Sequence, residues 1–509
     1  MRHLAGTCAQ ILTVTFVIAF LVCSFSPAVG AGDEQTISMD ALLEEHLREN
    51  RLPGGAAAVV RPDGSMHLYA RGNASADVPM TPDTPVYIAS ISKSFTAVAI
   101  MQLVERDLLD LDEPVVNYLP EFSVADPEVT EQITARHLLT HTSGLSERTY
   151  TEDLPVDAEI ADSVAALSEA VPVAEPGEHF AYFNPGYSVL GLLIEEVSGV
   201  DYGKYLSRNI FEPLNMWSTF TDPEEAEEAG LATGHTPYFG WPVASGGGFL
   251  RHALPAGFII STSRDMGRYG AALLAGGSLG YADILSTESV EKLWRVPEEG
   301  EPYGMGWSVL DEEGERIVNH GGSLPGYSSQ MVLLPDRETG ALLLFNGNHL
   351  LYGMTAHGTL VEEMADVLRG REPEGGSAVG TLAIASLVVF VLVVGTSLWS
   401  TFGLPHWRRN VGNYSRWKII RDIFVPLAGS IAALTLPPWL MKTASDRAVT
   451  WEIFFSLAPD LGLTFLIPAV LGISVGLVRL MSAIGVGLAQ RRRQAAYESG
   501  ASESTQDSI

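Results

Sequence analysis

The chain has 509 residues and a formal net charge of −30, with 61 Asp plus Glu against 31 Lys plus Arg. That length allows two to four domains, and most of the acid lies before residue 375, which argues against nucleic acid or anionic lipid as a partner of that region. The two cysteines, Cys8 and Cys23, fall in an N-terminal segment expected to be removed, so the mature chain would lack disulfides, thiol nucleophiles and Cys-bound metals.

Taken in order, the chain opens with Arg2 and His3, an apolar run over 11–22 and the small-residue stretch "SPAVGA". This pattern predicts a secretory signal peptide over 1–31 with cleavage after Ala31; an uncleaved anchor is the alternative. Either form puts the following domain, 36–370, outside the cytoplasm. That stretch is long enough for a large core.

The domain begins with a helix over 39–50, with Leu42, Leu43, His46 and Leu47 on one side. Two strands then meet at Pro62-Asp63-Gly64, a hairpin signal. "YIASISKSFTAVAI" follows, holding Ser90 and Lys93 at a helix start. Serine and lysine share this spacing at Ser289/Lys292 and Ser415/Lys418 as well, so the spacing alone decides nothing. The context of the first pair differs. "FTAVAIMQLV" is apolar nearly all round, which predicts a buried central helix. Ser90 then sits at its first turn, near free N–H groups and the positive dipole end. Lys93, one turn on, faces the same side. A buried lysine needs a partner or must give up its proton, and a neutral amine beside a hydroxyl can take the hydroxyl proton. The bland reading is a capping serine and a lysine reaching the surface; "STESVEKLW" around Ser289 suits that reading better.

Tyr182 and Asn184 sit in a loop just before an apolar helix that ends near Gly199. A tyrosine in a cleft can pass protons; a packed aromatic beside a turn asparagine is the plain alternative. "IVNHGGSLPGYSSQMVLLPDRETGALLLFNGN" reads as a glycine-rich turn followed by two strands joined at Pro335-Asp336, with His320, Gly321 and Gly322 at the first strand's edge. Glycines there let a substrate approach the backbone, and an adjacent N–H can serve an oxyanion. No H-E-x-x-H spacing occurs, which argues against a zinc hydrolase.

"REPEGGSA" reads as a linker, 371–377, into a membrane region over 378–490. Three apolar stretches there, about 378–399, 423–441 and 461–480, are candidate spans; Pro426, Pro437 and Pro438 in the second are tolerable in a membrane helix. Arg408, Arg409, Arg416, Lys418 and Arg421 lie between the first two stretches, and Arg491, Arg492 and Arg493 follow the third. The positive-inside rule then predicts a multi-pass protein of the cell membrane, with the N-terminal domain outside and the C-terminus in the cytoplasm. It also places Ser415/Lys418 in a basic cytoplasmic loop. The polar tail, 491–509, is expected to be disordered from 494.

S-x-x-K at Ser90–Lys93, Y-x-N at Tyr182–Asn184 and H-x-G at His320–Gly322 stand in one order, among "ITARHLLTHTSGL", "GYSVLGLLIEEVSG" and "STSRDMGRYGAALLAGG". The region 36–370 thereby resembles the serine β-lactamase and penicillin-binding protein family, in its class C-like branch of esterases, D-amino-acid peptidases and carboxypeptidases. The resemblance implies an α+β fold: an antiparallel sheet flanked by helices, beside an all-helical subdomain. It implies Ser90 as nucleophile, Lys93 and Tyr182 sharing the proton transfers, and Asn184 orienting Lys93 and the substrate. His320, Gly321, Gly322 and Ser323 would bind substrate, with the N–H groups of Ser90 and Ser323 forming the oxyanion hole. It implies no metal or cofactor. One departure is His320-Gly321-Gly322 where class C β-lactamases carry K-T-G; this points away from efficient β-lactam hydrolysis and leaves acylation by penicillins open. The expected activity is acyl-enzyme hydrolysis of a D-amino-acid peptide, ester or β-lactam, with cell-wall peptides among the substrate candidates. The rival reading is a non-catalytic domain that binds a wall or lipid ligand and reports through the spans.

Overall fold

The computed structural model describes residues 38–150, 154–246, 248–297, 300–373, 379–445 and 451–506. The expected signal peptide and most of the expected linker lie outside the described residues.

Helix α1 (Met39–Asn50) starts where the Ser38 side chain accepts a hydrogen bond from the Ala41 N–H, and stops at Arg51, whose φ is 52°. Strands β1 (Gly54–Val60) and β2 (Met66–Ser75) form the expected hairpin. Its turn is closed by Gly64 N–H to Arg61 C=O at 3.0 Å and by Asp63 accepting from Ser65. After β3 (Val78–Pro79) the chain leaves the sheet for the buried helix α2 (Ser92–Glu105) and then α3 (Pro185–Ser198). A separate hairpin, β4 (His235–Tyr238) and β5 (Trp241–Ala244), precedes helix α4 (Ser263–Leu274). The chain returns as β6 (Ser308–Glu312), β7 (Glu315–Leu324), β8 (Tyr327–Leu334) and β9 (Thr339–Phe345), followed by helix α5 (Leu350–Arg369).

These strands make one seven-stranded antiparallel sheet in the order β6-β7-β8-β9-β1-β2-β3. The first and last parts of the domain therefore meet at its centre, where β1 pairs with β9. β1 reads GGAAAVV because helices pack on both of its faces. Ala57 joins Leu43, Leu343 and Met364 in the core under α1 and α5. Ala56, Ala58 and Val60 face Met266 and the helical side. Gly270 of α4 lies so close to the sheet that a Cβ there would come 2.6 Å from the Met331 side chain. Alternation of this kind follows from the two-residue period of a strand. The all-helical part, with α2 and α3 at its centre, packs on the α4 side; Phe95 of α2 stacks on Tyr269 of α4 at 4.0 Å between ring centres. The α+β fold is thus the one expected.

A pH-dependent weak point lies on the opposite face. Glu363 of α5 is buried beside Glu45 and Glu49 of α1, and burial together with those carboxylates and Glu362 pushes its pKa from about 4.5 up to about 7. Folding favours its protonated form. The stability this contributes is full below the ordinary carboxyl pKa and is lost as pH rises through about 7, a swing of up to about 3 kcal/mol. Glu363→Gln is expected to raise the melting temperature at pH 8 and to change it little at pH 4, as read by thermal denaturation at the two pH values.

Beyond α5 come helices α6 (Val379–Phe402), α7 (Arg416–Ser445) and α8 (Pro459–Gln506). Three stretches, Ala383–Asn413, Arg416–Trp439 and Pro459–Ala496, are long and apolar enough to cross a membrane. Two expectations are corrected. The tail is helical through Gln506 rather than disordered from 494; "QRRRQAAYE" is rich in strong helix formers and continues a helix already nucleated. The glycine-rich "turn" at His320–Gly322 is the second half of strand β7, and the chain turns afterwards at Pro325-Gly326. Glycine marks close backbone approach here, as it does in strands generally.

Candidate active site

The chain approaches Ser90 through a strained turn. Ala89 has φ +49°, a left-handed conformation that a residue with a Cβ seldom adopts. Its neighbours hold it there. Ile88 donates its N–H to Ile259 C=O at 3.0 Å, and Ile88 C=O accepts from the Ser329 hydroxyl at 2.7 Å. Ala89 C=O accepts from the Ser92 hydroxyl at 2.7 Å. Residues 89–91 form one 3-10 turn, and α2 begins at Ser92. This strain presents Ser90, half-buried, at the mouth of the central helix.

Lys93 is fully buried. Its Nζ lies 2.7 Å from Asn184 Oδ1, 2.6 Å from Ala256 C=O and 3.3 Å from Ser90 Oγ. A neutral amine has two N–H groups and one lone pair. As an ammonium Lys93 donates to all three; as a neutral amine its two N–H groups serve the two short contacts and its lone pair faces the Ser90 hydroxyl. The Tyr182 ring centre lies 4.8 Å from the same nitrogen. Asn184 is oriented by Glu147, whose carboxylate accepts from the Asn184 side chain at 2.7 Å and from its backbone N–H at 3.3 Å. A carboxylate only accepts, so the amide nitrogen must face Glu147 and the amide oxygen must face Lys93.

Tyr182 packs against His141, 4.2 Å between ring centres with the planes tilted by 37°. His141 Nδ1 accepts from Phe183 N–H at 3.2 Å, and His141 C=O accepts from Ala181 N–H at 2.8 Å, so one histidine holds the loop on both sides of Tyr182. On the far side, His320 Nδ1 is 2.7 Å from Gly321 C=O and its Nε2 is 2.9 Å from the Tyr303 hydroxyl. The carbonyl can only accept, so Nδ1 carries a proton, and Nε2 shares a hydrogen bond with the Tyr303 hydroxyl. Gly322 pairs with Ser329 and backs onto Ile88 and Ala89. The Ser323 hydroxyl accepts from Asn348 at 2.7 Å.

The fold therefore brings Ser90, Lys93, Tyr182 and Asn184 together, and sets the His320–Ser323 strand against the Ser90 turn through Gly322. The other two Ser/Lys pairs are structural. Lys292 pairs with Glu288 at 2.8 Å on the surface. Ser415 accepts from the Lys418 N–H at the start of α7, and the Lys418 amine pairs with Asp422 at 2.9 Å. Sequence reasoning missed Glu147, His141 and Tyr303. His141 stood inside the quoted "HLLTHTSGL"; nothing local marked Glu147 or Tyr303.

A profile of the Beta-lactamase family matches residues 39–363. Penicillin-binding protein 4 of Amycolatopsis lactamdurans is 31% identical over 60% of this chain and 83% of its own length. Protein flp of Staphylococcus aureus (strain MRSA252) is 27% identical over 61% of this chain, which spans 62% of that protein, less than two thirds. Among solved structures, the octameric penicillin-binding protein homologue from Pyrococcus abyssi superposes with a TM-score of 0.57 at 30% identity, over 69% of this chain and 80% of that one. D-amino acid amidase from Ochrobactrum anthropi SV3 superposes with a TM-score of 0.51 at 26% identity, over 60% and 89%. Fold and site together define a serine-hydrolase-type domain. The chain belongs to the beta-lactamase family.

Proposed function

We propose that this protein is a membrane-anchored, extracytoplasmic serine hydrolase that cleaves amide or ester bonds through an acyl-enzyme on Ser90. The observation that carries this reading is the Lys93 amine, buried and held by two short acceptor contacts with Ser90 Oγ as its third neighbour. Ser90 Oγ attacks the substrate carbonyl and its proton passes to Lys93. The oxyanion is met by the N–H groups of Ser90 and Ser323. Tyr182 relays the proton to the leaving amine or alcohol, and water then enters by the reverse path to release the acid and free Ser90. The signal-peptide pattern over 1–31, the basic residues Arg408, Arg409, Arg416, Lys418 and Arg421 between the first two apolar stretches, and Arg491, Arg492 and Arg493 after the third support an outer domain and a cytoplasmic C-terminus.

Substrate class follows from the third motif. Both nitrogens of His320 are engaged within the protein, which favours a positioning part for it over a carboxylate clamp. Esters, and amides of the D-amino-acid type named for the amidase of similar fold, are favoured over β-lactams. The full chain in detergent, treated with a fluorophosphonate and measured by intact mass, is expected to gain one adduct; Ser90→Ala is expected to gain none. A folded wild-type chain without an adduct would sink the proposal.

A further inference from the structure

The connector between β9 and α5, Asn346-Gly347-Asn348-His349, is buried, and its side chains join the end of β7 to a C-terminal helix. Asn348, 1% exposed, donates from its side chain to the Ser323 hydroxyl at 2.7 Å and to Leu324 C=O at 2.8 Å. The next residue, His349, meets Asp460 through Nε2 at 2.9 Å. Asp460 is the second residue of α8 and is also 1% exposed. Its carboxylate accepts two backbone N–H groups as well, from Phe239 at 3.0 Å and from Leu461 at 2.7 Å. A carboxylate out of water is costly unless donors of this kind meet it, and a helix start favours negative charge. Asp460 is therefore held firmly, and it holds what donates to it.

Phe239 is the second link. It stands at the tip of the β4–β5 hairpin with φ +51°, a conformation that persists in a bulky residue only where the surroundings impose it. From there β4 runs back to His235, whose N–H donates to Gly326 C=O at 3.2 Å and whose C=O accepts from Asn348 N–H at 3.0 Å. Gly326 belongs to the turn after β7, and a Cβ on it would come 2.6 Å from Ser245 C=O, just past β5. Two links thus leave one carboxylate and close on one place, the Ser323–Gly326 end of β7.

That end has little else to hold it. β6 pairs with β7 only as far as Asn319, so beyond that point β7 has a strand partner on one side alone, β8. An oxyanion donor has to stand about 2.7–3.1 Å from the oxygen it serves, and an error of about 1 Å costs on the order of a hundredfold. We propose that Asp460 is a positioning residue for the candidate active site: through His349 and Asn348, and through the β4–β5 hairpin, it sets the end of β7 and with it the Ser323 N–H. The inference rests on the reading of Ser90 as nucleophile and of the Ser323 N–H as oxyanion donor. It gives α8 a part in turnover beyond attachment to a bilayer.

The test titrates the full chain in detergent with a fluorophosphonate and expresses ester turnover per labelled Ser90, with KM and melting temperature alongside. Asp460→Ala cuts both links. It is expected to lower kcat per labelled serine by about ten- to a hundredfold while KM changes little, because the lost interaction belongs to the transition state. His349→Ala cuts one link and leaves the carboxylate its two backbone donors, so it is the milder exchange. A smaller loss of the same kind is expected from it, and it decides the matter if Asp460→Ala does not fold. Asn348→Ala is expected to cost less in the His349→Ala chain than in wild type, since the two residues act in series. A merely structural part for Asp460 would lower the melting temperature and the labelled fraction and leave kcat per labelled serine at the wild-type value. That result would overturn the inference while the hydrolase reading stands. Equal costs of Asn348→Ala in the two backgrounds would overturn it as well. A folded wild-type chain that takes no adduct would remove the hydrolase reading, and this inference with it.

Discussion

Lys93→Met is expected to lower turnover of an activated ester by roughly a thousandfold or more, the range removed with a general base next to a serine nucleophile. The chain should still fold. Lys93 lies in a helix turn where Ser92, Ser94 and Phe95 are also fully buried, and methionine has nearly the volume of the lysine stem without an amine to desolvate. The opposing cost is the loss of a donor to Asn184 Oδ1 and Ala256 C=O, about 1–3 kcal/mol for each acceptor left unpaired. Asn184 borders the cleft, so water can replace the amine there, and the net change in stability is expected to be small. Lys93→Arg separates base from charge. A guanidinium keeps the cation but has no lone pair to receive the Ser90 proton. It is expected to be as inactive as the methionine variant. Steady-state kinetics and thermal melting of both variants check this. An active arginine variant would show that Lys93 supplies charge, and the base would have to be sought elsewhere, with Tyr182 first.

Gly322→Val is expected to cost about a hundredfold or more in kcat/KM and about 1–3 kcal/mol in stability. A Cβ at this position would come 2.2 Å from Ser329 Oγ, 2.5 Å from Ile88 C=O and 2.8 Å from the Ala89 side chain. Two of those atoms form the hydrogen bond that keeps Ala89 in its left-handed turn. The new side chain must therefore push β7 away from the Ser90 turn or let the turn relax. Either response moves the nucleophile relative to the strand proposed to supply the second oxyanion donor. Gly246→Ala is the control, since a Cβ there meets nothing within 4 Å; it is expected to leave both quantities unchanged. Kinetics and denaturation of the two variants, measured side by side, decide it. Normal activity in Gly322→Val would mean that the close approach of β7 to Ala89 has no part in the chemistry.

The three Ser/Lys pairs show where local information stops. Their spacing is identical, and only the surroundings separate them. "FTAVAIMQLV" could be read as buried because a helix apolar on every side has no solvent face, and that reading placed Ser90 and Lys93 at a cleft. The same local physics made α1, the Pro62-Asp63-Gly64 hairpin, the helix ending at Gly199 and the three long apolar stretches legible, since periodicity, turn chemistry and length each act within a few residues. The sequence by itself thus determined the element types and, through the order of three motifs, the family. Only the tertiary structure decided what surrounds each motif. Glu147 reaches Asn184 across 37 residues, Tyr303, ahead of β6, meets His320 on β7, and Asp460 meets Phe239 across 221. Such contacts follow from closure of the whole chain, which brings β1 against β9, and no short window of sequence encodes them. The part played by Gly322 was illegible for the same reason: what it admits is the Ser90 turn, which lies more than 200 residues away in the chain and touches it only once the sheet has formed.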